Sequence, residues 1–470
     1  MDKNDIGFTP ATDLAGLIRN KEISPLEVAN AAIARVERLN PVLNAFCHMD
    51  FDQTRRDAHA AEDAVMRGDD LGPLHGVPFS IKDMVAVKGM KMCSGSNIFA
   101  DRVMDFDAPL VARLKAAGGV LLGKTTTPEF GWRATGDSPL TGSTLNPWNT
   151  EKTSGGSSAG AASAAAAGMA PLNQGADGAG SVRIPACFCG IFGHKPTFGR
   201  VPNVPQSNND NTSHPGPMTR TVADAALMLQ IMAGPDPLDN TSLEAPPEDY
   251  SGRLDDGIKG LRIAYSPDLG RNRVDPEIAD ATAKAVARFE AFGATVEEVV
   301  IDWPDTAELI HFMWSAHEVG NYGPYLDEWR DRMDPGLVAC IEDAMAHSAG
   351  DYVRRRSEKQ AFNRVVSEFF TNYDLLLTPS TSVTALDAGT LNPPDWPQTD
   401  WNWLAWASFS YPFNFSGNPA SSVPIGFAKN GLPIGLQVVG KRFADLAVLQ
   451  AAAAYEAAYP WAQHRPSELS

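Results

Sequence analysis

The stretch Thr153-Ser154-Gly155-Gly156-Ser157-Ser158-Ala159-Gly160 constrains this chain most, read together with Gly178-Ala179-Gly180-Ser181. An Ala-rich run separates the two. So little side-chain bulk belongs where backbone approaches a ligand or adopts dihedrals closed to larger residues. Both segments present hydroxyls. A hydroxyl flanked by free backbone N–H groups is a nucleophile beside an oxyanion hole, provided some base can activate it.

The candidate base lies upstream. Gly76-Val77-Pro78-Phe79-Ser80-Ile81-Lys82-Asp83-Met84-Val85-Ala86-Val87 reads as an apolar strand with Lys82 near its middle. Burial disfavours an ammonium, so a lysine held there has a lowered pKa and can serve as a general base. Taken alone, the commoner outcome for such a lysine is a place at the surface or a pair with Asp83.

In their shared order, these blocks resemble the amidase signature family, which hydrolyses C–N bonds with a Ser–cis-Ser–Lys triad. The resemblance runs from Ser24-Pro25-Leu26-Glu27 through Gly431-Leu432-Pro433-Ile434-Gly435-Leu436-Gln437. It implies an α/β fold, a large mixed sheet covered by helices on both faces. It implies Ser181 as nucleophile, Ser157 as the bridging serine with a cis peptide, and Lys82 as base. The backbone N–H groups of Gly178, Ala179 and Gly180 are then the oxyanion hole. Where the family often carries Thr-Gly-Gly-Ser this chain has Gly178-Ala179-Gly180-Ser181, so Ala179 adds a methyl at a crowded turn. Thr125-Thr126-Thr127-Pro128-Glu129-Phe130-Gly131-Trp132 resembles a family segment that borders the substrate pocket. Phe130, Gly131 and Trp132 are therefore candidate pocket wall. The triad calls for no metal and no cofactor.

At 470 residues and 43% apolar content the chain can bury a sizeable core. It reads as one domain over residues 1–470, with N-terminal helices over 1–70 and a helical and loop region shaping the substrate site over about 303–415. Ser24 caps a helix with Pro25 at its first position and Glu27 closing a capping box. Strands alternate with helices after Lys82, which argues for α/β. The net charge of −18 argues against a nucleic-acid or anionic-membrane partner. The first residues lack a signal-peptide pattern, and no apolar run reaches membrane-spanning length. The cysteines Cys47, Cys93, Cys187, Cys189 and Cys340 are odd in number and scattered, as expected for free thiols in a reducing cytoplasm.

Gly156-Ser157-Ser158-Ala159-Gly160 also fits G-x-S-x-G with Ser158 as nucleophile, but the preceding Asn149-Thr150-Glu151-Lys152-Thr153 is too polar for the buried strand that motif needs. His194 is a lone histidine, more often structural than catalytic. The Pro/Trp-rich stretch with Trp396, Trp401, Trp403 and Trp406 reads either as a loop clamped by aromatic packing or as a lid over an apolar group. Its low charge favours a bulkier, apolar substrate over the free glutamine used by family members in tRNA transamidation complexes. The chain is similar to free-standing amidases, including aryl acylamidases, 6-aminohexanoate cyclic dimer hydrolase and urethane-cleaving members. The expected reaction is hydrolysis of a small-molecule amide, with an apolar or aryl group, through an acyl-enzyme. Carbamates and esters suit the same machinery.

Overall fold

The computed structural model describes residues 3–206, 209 and 211–467. Eleven strands form one sheet: β1 Phe46–His48, β2 Pro78–Lys82, β3 Val120–Thr125, β4 Leu172–Asp177, β5 Phe192–Lys195, β6 His214–Thr219, β7 Arg262–Tyr265, β8 Thr295–Glu298, β9 Leu375–Pro379, β10 Ala420–Phe427 and β11 Pro433–Gly440. Their spatial order is β1-β3-β2-β4-β6-β5-β10-β11-β9-β7-β8. The sheet is mixed. β2 runs parallel to β3 and β4, and β7 to β8 and β9, while β10 and β11 pair antiparallel.

Side chains of a strand alternate between faces, and both faces of this sheet are covered. Ile263, Leu375, Leu377, Leu436 and Val438 join one apolar cluster, packed with the helices Val222–Met232 and Asp445–Ala458. Their neighbours Ala264, Leu376 and Val439 join a second, with the helices Ala307–Tyr322 and Pro335–Ala344. Strands buried on both sides need continuous apolar runs, which Leu375-Leu376-Leu377 supplies. The architecture is the α/β mixed sheet expected from the sequence.

Local signals hold at the N-terminal helices. Ser24 accepts from the Glu27 N–H at 3.1 Å and the Glu27 carboxylate accepts from the Ser24 N–H at 2.9 Å, so the capping box opens Pro25–Leu43. One expectation shifts. The Gly76–Val87 segment is a strand only over Pro78–Lys82, so Lys82 stands at its C-terminal end, not its middle. All five cysteines are free. Among the described residues no helix is long and apolar enough to cross a membrane.

Candidate active site

The parallel strands β2 and β4 end side by side, which brings Lys82 beside the turn that follows Asp177. Ligands of open α/β sheets gather at such carboxyl ends. Lys82 is 1% exposed. Its Nζ donates to Ser157 Oγ at 2.7 Å and to Ser158 Oγ at 3.2 Å, with the Ala176 carbonyl at 3.5 Å. Burial lowers the Lys82 pKa to about 7, with Asp177 pulling weakly the other way. A substantial fraction of Lys82 is therefore a free amine near neutral pH, with its lone pair available to Ser157.

Ser157 follows a cis Gly156–Ser157 peptide. Two glycines make room for it. Gly155 has φ +80°, and a Cβ on Gly156 would lie 2.5 Å from the Thr135 carbonyl oxygen. Ser158 faces the other way. Its hydroxyl donates to the Ala176 carbonyl at 3.1 Å and accepts from the Ala176 N–H at 3.1 Å. Ser158 is thus a structural tether between the serine turn and β4, and it steadies Lys82. It does not reach the cavity, which removes the G-x-S-x-G reading.

The turn carrying Ser181 is held by a buried ionic cluster. Asp177 and Arg183 are both fully buried and paired bidentately, with Nε to Oδ2 and Nη2 to Oδ1 at 2.9 Å each. Arg183 also donates to Gln437 Oε1 and the Ser410 carbonyl at 2.8 Å, and Asn414 Nδ2 donates to Asp177 Oδ1 at 2.9 Å. Burial alone would raise the Asp177 pKa, but Arg183 and Asn414 hold it well below the ordinary carboxylate range.

That carboxylate corrects one expectation. Gly180, a candidate oxyanion donor, turns its N–H inward onto Asp177 Oδ1 at 2.7 Å. It is therefore taken up in fixing the turn. Gly178, Ala179 and Ser181 have no backbone N–H bond inside the chain among the described residues. The Ala179 methyl does not crowd the site, because it packs into the second apolar cluster. Its carbonyl accepts from Ser410 Oγ at 2.6 Å.

A cavity of about 340 Å³ opens over Lys82, Ser157, Gly178 and Ser181. Phe130 and Gly131 line it. A Cβ on Gly131, whose φ is +74°, would stand 3.0 Å from Ser157 Oγ. Trp132 does not line it, contrary to expectation. It is fully buried, and its carbonyl accepts from Trp314 Nε1 at 3.0 Å and Trp403 Nε1 at 2.8 Å. The chain turns at Phe130, where φ is +53°, so consecutive residues point apart. Trp403 and Trp406 are likewise buried and absent from the cavity lining. Trp403 and Trp406 thus buttress the wall from behind, as in the aromatic-packing reading of this stretch, and neither covers the cavity.

The opposite wall comes from Ala307–Tyr322, which gives Trp314, Glu318, Asn321 and Tyr322. Sequence reasoning placed this region near the substrate but named none of these residues. The i, i+4, i+8 spacing of Trp314, Glu318 and Tyr322 was the available signal. The Trp314 ring lies 3.7 Å from where a Gly178 Cβ would stand, and Tyr322 stacks on Phe130 with ring centroids 3.7 Å apart.

His194 is far from this chemistry, with Nδ1 bonded to Ser421 Oγ at 2.8 Å and Asp445 on its other side. Among the described residues Cys47, His48 and Asp83 bring metal-ligand atoms within 4.8 Å of one another. Lys124 Nζ already stands 3.4 Å from Asp83 Oδ1 there, so a cation would meet an ammonium on that carboxylate.

The amidase sequence family matches residues 27–449. An acylamidase of Rhodococcus erythropolis is 38% identical over all of this chain and 99% of its own length. One subunit of the glutamyl-tRNA(Gln) amidotransferase of Moorella thermoacetica is 33% identical over 98% of this chain and 99% of its own. The crystal structure of a bacterial aryl acylamidase of the amidase signature family superposes with a TM-score of 0.90 at 31% identity, covering 97% of each chain. The chain belongs to the amidase signature family of amide-cleaving hydrolases.

Proposed function

We propose that this chain hydrolyses a small-molecule amide with an apolar or aryl group, through Ser181, Ser157 and Lys82. The observation that carries the reading is the 2.7 Å contact between Lys82, whose pKa is lowered to about 7, and Ser157, at the floor of the cavity that also holds Ser181. The free amine of Lys82 takes the Ser157 proton while Ser157 takes that of Ser181. Ser181 Oγ attacks the carbonyl carbon. The carbonyl oxygen becomes an oxyanion, met by the N–H groups of Gly178, Ala179 and Ser181. As the C–N bond breaks, Ser157 passes its proton to the leaving amine and regains one from Lys82. Water then attacks the acyl-enzyme, and the relay runs again with Ser181 as leaving group.

The aromatic wall of Phe130, Tyr322 and Trp314 supports an apolar or aryl group on the substrate. Carbamates present the same carbonyl to the same groups. The test is intact-protein mass after treatment with a serine-directed fluorophosphonate, followed by peptide mapping. A single adduct on Ser181, absent from Ser181→Ala, is expected. An adduct on Ser158, or none on Ser181 in enzyme that turns over an anilide, would overturn the assignment.

A further inference from the structure

Among the described residues Glu318 is a carboxyl without a charge partner. It sits on the Ala307–Tyr322 helix and lines the cavity that holds Ser181. It is 4% exposed, and Oε2 has no hydrogen-bond partner among the described residues. A buried polar atom left so is costly, and in a native fold it calls for an explanation. Other carboxyls nearby are satisfied. Glu129 accepts from Ser96 Oγ and from the Asp334 N–H, both at 2.6 Å. Arg102, the guanidinium that lines the same cavity, is occupied elsewhere. It lies over the Phe99 ring and donates to the Met92 carbonyl at 3.0 Å.

Position makes the carboxyl a recognition group rather than a reacting one. Glu318 lies between Trp314, whose ring approaches Gly178 of the Ser181 turn, and Tyr322, which stacks on Phe130. Each helical turn advances ~5.4 Å, so Glu318 stands about one turn beyond the residue over the oxyanion donors. A substrate whose carbonyl sits on Ser181 and whose body lies along the rings brings its remote end to this carboxyl. Burial and the neighbouring Glu129 push the Glu318 pKa up to about 8, as expected where no cation is supplied by the fold. An ammonium brought by the substrate lets the carboxyl ionise and fills the open oxygen with a charge-assisted hydrogen bond.

We propose that Glu318 binds a basic nitrogen on the substrate, so that the preferred substrates are amides carrying an amino group remote from the scissile bond. The inference rests on the amide-hydrolase reading for its substrate, but not for its binding.

The test uses two series of p-nitroanilides and related anilides of graded length. One carries a terminal amine on the acyl side and the other on the leaving-group side, each beside an isostere with methyl in place of the amine. In the wild-type enzyme at least one amino compound should exceed its isostere in kcat/KM by roughly tenfold or more, the scale of a hydrogen bond to a charged group. In Glu318→Gln, which keeps the size but cannot ionise, that ratio should fall toward one. The same compounds are titrated onto Ser181→Ala, where Kd should show the preference and Ser181→Ala/Glu318→Gln should lose it. If no compound is cleaved but the Kd preference depends on Glu318, the hydrolase reading fails and this one stands. No amino preference in rate or Kd would overturn it, as would a preference that survives Glu318→Gln.

Discussion

Beneath the floor of the cavity Asp177, Arg183, Asn414 and Gln437 satisfy one another, and Ser158 ties the serine turn to the Ala176 backbone. Across from them, Trp314, Glu318 and Tyr322 present rings and one carboxyl oxygen that has no partner among the described residues. The first region fixes atoms that must not move, and its polar side chains are held by one another. In the second, Trp314 Nε1 is bonded to the Trp132 carbonyl, and Glu318 Oε2 is a buried polar atom left open among the described residues. Under the proposed function, catalysis and selectivity are divided between two elements, the sheet ends and one helix.

That division can be broken by substitution. The largest effect belongs to the floor. Ser181→Ala should lower kcat by roughly 10⁴-fold or more, by analogy with other serine nucleophiles, while thermal unfolding stays near wild type. A comparable rate in both enzymes would end the comparison at once. Next comes Arg183→Met, which strands Asp177 as an unpaired buried charge. It should cost about 3–5 kcal/mol in urea unfolding, with activity falling alongside. A cost under about 1 kcal/mol would mean the turn is held by something else. Gly131→Ala probes the seam between the two regions. Its φ of +74° and the 3.0 Å approach to Ser157 Oγ predict strain at the bridging serine. A kcat drop of roughly 10- to 100-fold matches the 1–3 kcal/mol of such strain. The smallest effect is expected behind the wall. Trp403→Phe removes one of two donors to the Trp132 carbonyl. It should cost about 1 kcal/mol of stability and leave kcat unchanged. A large kcat loss there would restore the lid reading.

Much of the floor was legible in the sequence, because it depends on residue types that few other tasks require. Taken alone, Lys82 reads as a surface or Asp83-paired lysine; its tie to the glycines before Ser157 and to the Gly/Ser turn comes from the resemblance, through the shared order of the three blocks. The structure places Lys82, Ser157 and Ser181 around one cavity. What was not legible is direction. Gly180 and Gly178 are the same residue type with N–H groups turned to different sides, and the Asp177 carboxylate takes that of Gly180. Trp132 differs from Phe130 by a turn with left-handed backbone, which no periodicity announces. The helical wall carries no motif at all. Trp314, Glu318 and Tyr322 are spaced like any buried helix face, and only tertiary packing shows that this face lines a cavity.

The most direct measurement of the central claim is the pH dependence of kcat/KM on a neutral anilide, in wild-type enzyme and Lys82→Met. Below pH about 7 Lys82 holds its proton and cannot accept one from Ser157, and above it the free amine can. The wild-type rate should therefore rise with pH through about 7 and then level, and Lys82→Met should lose both the rise and at least roughly 10³-fold of the rate, within the range general-base catalysis supplies. A Lys82→Met enzyme that kept the wild-type rate and the same profile would contradict the account.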